Sequence, residues 1–118
     1  MKGLGELEAQ VMDVLWSATE ALTVRQVLDT LPQERNRAYT TVMTVLDNLH
    51  RKDFAQRERV GRAWAYRPTQ TRAAHAAALM TDALGTGDDR TAALLHFVEH
   101  LPAAEAAQLR ALLDRERD

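Results

Sequence analysis

The stretch RAYTTVMTVLDNLHRKD, residues 37–53, decides the fold class of this chain. Its apolar side chains recur at the spacing of an amphipathic helix, at Val42, Val45, Leu46 and Leu49. We therefore predict a helix from about Ala38 to Lys52. The beginning of this helix carries Thr40, Thr41 and Thr44, although the stiff, branched side chain of threonine makes it a mediocre helix former. Three short hydroxyl side chains in an otherwise well-patterned helix indicate a role other than packing.

Two helices are predicted before this stretch. The first runs from about Leu4 to Ser17, and its apolar stripe is Leu4, Leu7, Val11, Val14 and Leu15. Thr23 is a suitable N-cap for the second helix, VRQVLDTL, whose inward residues are Val24, Val27, Leu28 and Leu31. Pro32 ends the second helix, because the residue before a proline is pushed out of the α region.

A change of period after residue 53 predicts a β-hairpin. FAQRERV (54–60) and AWAYRP (63–68) carry branched and aromatic residues on either side of Gly61. We expect Trp64 and Tyr66 in the core, and a short strand at residues 21–22 beside the hairpin. Three helices followed by a hairpin are the order of a winged helix-turn-helix domain, which we assign to residues 1–68.

Three further helices are predicted over residues 69–118. Short helices of this kind bury their apolar stripes poorly on their own, so we expect them to pack against a second copy of the chain. Packing back onto the winged helix is the alternative. The expected dimer interface is Leu79, Leu94, Leu95, Phe97, Val98, Leu109, Leu112 and Leu113. The predicted fold is thus mainly α with a small β-hairpin, a winged helix-turn-helix domain followed by a three-helix C-terminal dimerisation domain.

The distribution of charge favours a nucleic-acid partner. The net charge of the chain is −2, but residues 35–67 hold eight basic against three acidic side chains, and residues 69–118 hold five against eight. A basic middle next to an acidic tail is typical of a domain that binds nucleic acid. An ordinary solvated surface is the alternative that charge alone leaves open.

The threonines of the third helix suit recognition of bases in double-stranded DNA. A major groove admits one helix, and the side chains near its N-terminus reach the base edges. We therefore predict that Thr40, Thr41 and Thr44 contact bases, through their hydroxyls and through methyl contacts with thymine. The predicted phosphate contacts are Tyr39, Arg51, Lys52, Arg57, Arg59 and Arg62. Asp47 is expected to face solvent.

Composition excludes several other classes of protein. The chain has no cysteine, which rules out disulfides and thiolate metal sites. It has neither the apolar core of a signal peptide nor an apolar run of the roughly 20 residues that span a bilayer, so we expect a cytoplasmic protein without membrane insertion. There is no glycine-rich phosphate loop, and we expect Ser17, at a helix end, to act as a cap or a terminator. We expect no catalytic site, no cofactor and no bound metal.

Four segments of the chain resemble the penicillinase-repressor family, the BlaI/MecI-type transcriptional repressors. They are GELEAQVMDVLW (5–16), LTVRQVLDTL (22–31), AYTTVMTVLDNLHRKDFAQRERVGRAWAYRP (38–68) and LLHFVEHLPAAEAAQLRALLD (94–114). The resemblance implies a homodimer that represses genes of β-lactam resistance, and sometimes other genes, by binding inverted repeats in their promoters. It also implies a membrane-bound sensor protease as a partner. In members of the family that protease cuts the repressor between an asparagine and a phenylalanine, and the corresponding bond here is His96–Phe97.

Two other functions are compatible with a winged helix. His96 and His100 are four residues apart, a spacing known for metal ligands, and His75 lies in the preceding helix; a metal- or ligand-sensing repressor is the first alternative. A module that binds only protein is the second. Dependence on salt distinguishes a DNA-binding repressor from a module that binds only protein, because DNA binding through phosphates weakens steeply as salt is added.

Overall fold

The computed structural model describes residues 4–32 and 37–116. Its elements are α1 (Glu6–Ser17), β1 (Leu22–Thr23), α2 (Val24–Thr30), α3 (Tyr39–Arg51), β2 (Ala55–Val60), β3 (Ala63–Pro68), α4 (Arg72–Leu84), α5 (Asp88–Glu99) and α6 (Ala103–Glu116). The chain divides into two compact units, unit 1 (Met1–Leu79) and unit 2 (Met80–Asp118). Arg35, which contributes to the predicted basic stretch, lies outside the described residues.

The described residues of unit 1 share one apolar core where α1, α2, α3 and the sheet meet. Val11, Val27, Val42, Leu46 and Leu49 are completely buried there. Met12 is also buried, although the predicted stripe of α1 did not include it. Leu4, Leu7 and Val14 are only partly buried. The buried face of α1 is therefore rotated toward Met12 relative to the prediction.

Local signals in the sequence explain where the helices begin and end. Thr23 is the N-cap of α2, as predicted: its hydroxyl accepts a hydrogen bond from the Gln26 backbone N–H at 3.2 Å, and the Gln26 side chain accepts one from the Thr23 N–H at 2.9 Å. This capping box satisfies two backbone donors that the first turn would otherwise leave unpaired. Helix α2 ends at Thr30, with Leu31 as its C-cap immediately before Pro32.

The predicted hairpin is present, and a third strand joins it. The sheet is antiparallel with the order β1-β3-β2, and Leu22 pairs with Tyr66. Strand β1 begins at Leu22, one residue later than predicted. The hairpin turns at Gly61, whose φ of 64° lies in the left-handed region that glycine adopts without strain. Three helices followed by this hairpin confirm the predicted winged-helix architecture.

The prediction that both hairpin aromatics are core residues is half wrong. Tyr66 is 2% exposed and belongs to the core of unit 1, whereas Trp64 is 36% exposed. Trp64 lies near the turn of the hairpin, opposite Arg59, and its ring packs against arginine side chains instead of apolar ones.

The first part of α4 belongs to unit 1, where His75 joins it to the winged helix. The His75 ring is buried, with its centroid 5.3 Å from that of Trp16 and 5.4 Å from that of Phe54. In addition, the Trp16 indole N–H donates to the Gln70 carbonyl at 3.0 Å. These contacts explain why the structural division falls after Leu79, later in the chain than the predicted boundary between residues 68 and 69.

Unit 2 contains the end of α4 together with α5 and α6. Among its described residues none is buried, and its large apolar side chains remain open to solvent. Val98, Leu101, Leu109 and Leu113 line a groove between α5 and α6. Across residues 4–32 and 37–116, no helix is both long enough and apolar enough to cross a membrane.

Candidate nucleic-acid interface

One side of α3 carries polar residues along the length of the helix. Thr40, Thr44, Asp47 and Arg51 follow one another at intervals of three or four residues, so they lie on one side of the helix. The opposite side holds Val42, Leu46 and Leu49, which anchor the helix in the core. We refer to the face formed by Thr40, Thr44, Asp47 and Arg51 as the polar face. Two of the three threonines predicted to contact bases thus lie in one line.

The N-terminal end of α3 carries two more of the predicted contacts, Thr41 and Tyr39. Thr41 is exposed beside the polar face, and Tyr39 is 42% exposed. The N-cap residue, Ala38, provides no side-chain hydrogen bond to the first turn of the helix. The Arg25 guanidinium from α2 lies 5.2 Å from the Tyr39 ring centroid. Arg25 was not predicted as a site residue, and it adds a positive charge where phosphate contacts are expected.

The hairpin carries a stack of arginine and tryptophan side chains. The guanidinium carbons of Arg57 and Arg59 lie 4.3 Å and 4.5 Å from the Trp64 ring centroid. Cation–π contacts of this kind hold a guanidinium in place while it keeps its charge. Arg59 also donates to the Arg62 carbonyl at 2.9 Å, which ties it to the turn. The exposed Arg62 side chain extends from that turn.

Asp47 connects the polar face of α3 with the hairpin. One carboxylate oxygen lies 3.4 Å from Arg51 Nε on the same helix, and the other lies 3.6 Å from Arg57 Nη1 on β2. Arg51 also donates to the Asn48 side chain, and Arg57 lies 3.4 Å from the Tyr66 hydroxyl. Asp47 is partly exposed to solvent, as expected, but its pairing with two arginines was not expected. It is half-buried between two of the predicted phosphate contacts.

Lys52, another predicted phosphate contact, pairs with a residue of α1. Its ammonium lies 2.8 Å from a carboxylate oxygen of Glu8. The hydrogen bond from Lys52, and after it the one from the Gly5 backbone N–H, hold the pKa of Glu8 below its usual value. This ion pair joins the end of α3 to the beginning of α1, so a phosphate would compete with Glu8 for Lys52, as it would with Asp47 for its two arginine partners.

The C-terminal site residues all lie on exposed faces of unit 2 or at the end of unit 1. Leu94, Leu95, Phe97 and Val98 of α5 are 43–59% exposed, and Leu109, Leu112 and Leu113 of α6 are 36–59% exposed. Leu79 is half-buried in α4. The His96–Phe97 bond lies within α5, in regular helix.

The three histidines considered as metal ligands are divided between the two units. His75 is buried in unit 1, while His96 and His100 belong to unit 2. His100 Nδ1 lies 2.8 Å from the His96 carbonyl oxygen, so it makes a contact typical of a helix end. Within the part of the chain that the structure describes, no three His, Asp or Glu side chains are placed to hold a metal ion together.

Comparison with known proteins gives a consistent set of relatives. A family model described as penicillinase repressor matches residues 4–115. A transcriptional regulator BlaI from Mycobacterium tuberculosis is 50% identical over 113 residues, which are 93% of this chain and 82% of that protein. The same values hold for that protein in a second strain.

Two solved structures support the fold. The solution structure of Bacillus licheniformis BlaI, a monomeric form in complex with the blaP half-operator, is 22% identical with a TM-score of 0.51; it covers 61% of this chain and 87% of its own. MepR, a transcription regulator of the Staphylococcus aureus multidrug efflux pump MepA, is 19% identical with a TM-score of 0.52, covering 96% and 77%. At these identities the two structures support the winged-helix fold alone.

Proposed function

The chain belongs to the penicillinase repressor family of DNA-binding transcriptional repressors, and we propose that it acts as a homodimer on an inverted-repeat operator in double-stranded DNA. The observation that carries this proposal is the exposed polar face of α3 beside the arginines of the hairpin. Because its partner is the promoter, we assign it to the cytoplasm. Its relatives are described as transcriptional regulators, and the proposal includes no catalytic step and no cofactor.

In the proposed complex, α3 enters the major groove. Its N-terminal end is free of side-chain caps and carries Thr40, Thr41 and Thr44, whose small size lets the backbone approach the base edges. The hairpin, acting as the wing, brings Arg57, Arg59 and Arg62 to the phosphates flanking the groove. Tyr39 and Arg51 contact phosphates at either end of α3.

The second copy of the chain provides the affinity. One winged helix neutralises few phosphates, so a monomer binds DNA weakly. The apolar residues that α5 and α6 expose are the surface through which two copies associate, and a dimer presents two α3 helices to half-sites about one helical turn apart. The second contact then becomes effectively intramolecular.

Release of the operator follows from loss of that interface. We propose that a membrane-bound sensor protease, responding to β-lactams, cuts the His96–Phe97 bond and thereby separates α6 and part of α5 from the rest of the chain. A fragment ending at His96 is expected to sediment as a monomer and to bind operator far more weakly than the full chain. A fragment that remains a dimer would contradict this mechanism of release.

The first test of the function is a titration of two DNA duplexes by gel shift. One duplex carries an inverted repeat from the promoter upstream of the gene for this protein, and the other is the same sequence scrambled; both are titrated at two salt concentrations. We expect selective binding that falls steeply with salt and a shift that corresponds to a dimer. Equal binding to both duplexes, or none to either, would contradict the proposal.

A further inference from the structure

Asp47 stands in a position that is unfavourable for DNA binding by itself. It lies on the polar face of α3, three residues after Thr44 and four before Arg51, with its side chain 45% exposed. A carboxylate at this place repels the phosphates that the surrounding arginines attract. Its contacts with Arg51 and Arg57 therefore offer the physical reason for placing an acidic residue here.

Through Arg57, Asp47 is connected to most of the positive charge of the wing. The guanidinium groups of Arg57 and Arg59 both pack on the ring of Trp64. Arg59 in turn donates a hydrogen bond to the Arg62 carbonyl. Arg57 is the more buried member of its ion pair, with its side chain 25% exposed, so it has little freedom once the carboxylate holds it. Arg51 is 67% exposed and is fixed mainly by Asp47 and Asn48.

We propose that Asp47 is a positioning residue that sets the specificity of DNA binding. It holds Arg51 and Arg57 in one arrangement at the junction of α3 and the wing, and it offsets part of their charge. Only a duplex whose phosphates match that arrangement gains both contacts, while other DNA meets two arginines that are already paired. This inference rests on the proposed function, because it assumes that α3 and the wing contact DNA.

The size of the effect follows from the nature of the contacts. Ion pairs this exposed to solvent are weak, so DNA phosphates compete with them and the arginines are restrained without being blocked. An arginine that gains a phosphate contact steepens the dependence of log K on log salt by about 0.9. Freeing Arg51 and Arg57 therefore adds about one to two units to the salt slope on DNA of arbitrary sequence.

The test compares two substitutions that change the net charge equally. Asp47→Asn removes the carboxylate that holds the arginines. Asp53→Asn is the matched control: Asp53 lies just beyond α3 with φ of 70°, which asparagine tolerates well, and within the described part of the chain no ion pair involves its side chain. Asp47→Glu restores the charge, and Asp47→Ser is a second neutral variant in case the asparagine protein folds poorly.

Affinity of the full-length proteins is measured by fluorescence anisotropy on the operator and on the scrambled duplex over a series of salt concentrations. We expect Asp47→Asn to bind scrambled DNA about threefold to tenfold more tightly than the unsubstituted chain, with the steeper salt slope, and to lose operator preference. Asp53→Asn should shift binding to both duplexes slightly and equally. Asp47→Glu should recover most of the preference, which mere damage to the fold would not allow.

Three results would overturn the inference. The first is that Asp47→Asn and Asp53→Asn change the salt slope on scrambled DNA by the same amount. The second is that Asp47→Asn weakens operator binding and leaves scrambled DNA unaffected, as a direct contact between Asp47 and a base requires. The third is weaker binding to both duplexes by every Asp47 variant, as a purely structural role requires. Failure of the unsubstituted chain to prefer its operator would contradict the proposed function itself, separately from the role of Asp47.

Discussion

Unit 1 and unit 2 differ in how far their apolar side chains are buried. In unit 1 the leucines and valines of α1, α2 and α3 are buried in one core or packed against it, and Leu46 and Leu49 are completely buried. In unit 2 the described leucines of α5 and α6 are all at least partly open to solvent, and Leu95 and Leu113 are 59% exposed. Two helices that leave such surface in water gain little from folding alone. The comparison supports the proposal that unit 1 is stable within one chain, whereas unit 2 is completed by a second copy.

The largest effect is expected from a substitution that creates a cavity in the core of unit 1. Leu46→Ala removes a fully buried side chain where α3 meets the core, and we expect it to lower the free energy of unfolding by about 2–5 kcal/mol. Leu113→Ala in unit 2 removes the same atoms from an exposed position and should leave that transition almost unchanged at low protein concentration. Urea unfolding followed by tryptophan fluorescence measures the free energy of unfolding of unit 1, since Trp16 and Trp64 both belong to that unit. Equal losses in the two variants would mean that the stability of unit 1 depends on Leu113 of unit 2, which contradicts the comparison.

A charge on the exposed apolar face of α5 should act on assembly and not on folding. Leu94→Asp places a carboxylate where a second copy is expected to pack, and burying an unpaired charge is costly. We expect the dimer to dissociate at least tenfold more readily, about 1.4 kcal/mol or more, by sedimentation velocity. Ala92→Asp introduces the same charge on the side of α5 that also holds Glu99, and it should leave the dimer intact. If both variants remain dimers, the interface lies elsewhere.

Within unit 1, α3 is expected to contact DNA bases and the wing is expected to contact phosphates. Thr44→Ala should weaken operator binding by about 1–2 kcal/mol with little loss on scrambled DNA, because a base contact carries sequence information. Arg62→Ala should weaken binding to both duplexes and reduce the salt slope by about one, as loss of a phosphate contact requires. Anisotropy titrations at several salt concentrations measure both quantities. If the two variants behave alike on both duplexes, the division between base and phosphate contacts is wrong.

The sequence was sufficient for features that depend on local spacing. The apolar period of α3, the cap at Thr23 and the glycine at the turn of the hairpin all act within a few residues, and the elements that they predict are present. The ion pair between Asp47 and Arg51 also has a local signal, because the two residues are four apart on one helix. That signal was overlooked when Asp47 was expected to face solvent.

Contacts between elements could not be predicted in the same way. The pairing of Asp47 with Arg57 depends on how closely the hairpin approaches α3, and no spacing in the sequence fixes that distance. Trp64 was expected in the core because it alternates with Tyr66, but it lies beyond the edge of the core, where two arginines cover its ring. The position of Arg25 beside Tyr39 likewise follows from the packing of α2 against α3.

The smallest expected effect concerns the ion pair between Glu8 and Lys52, which joins α1 to the end of α3 in unit 1. In the folded state this pair holds the pKa of Glu8 below the ordinary value of 4.5. The ionised carboxylate therefore stabilises the fold above pH 4.5, and this contribution is lost as the pH falls through the lowered pKa. Glu8→Gln should therefore cost up to about 1 kcal/mol at neutral pH, and the difference from the unsubstituted chain should shrink as the solution is acidified. Glu6→Gln, at an exposed position in the same first turn, serves as the control and should show no such pH-dependent difference. Urea unfolding at a series of pH values measures it, and a difference that stays constant down to strongly acidic pH would mean that the pair does not contribute through its charge.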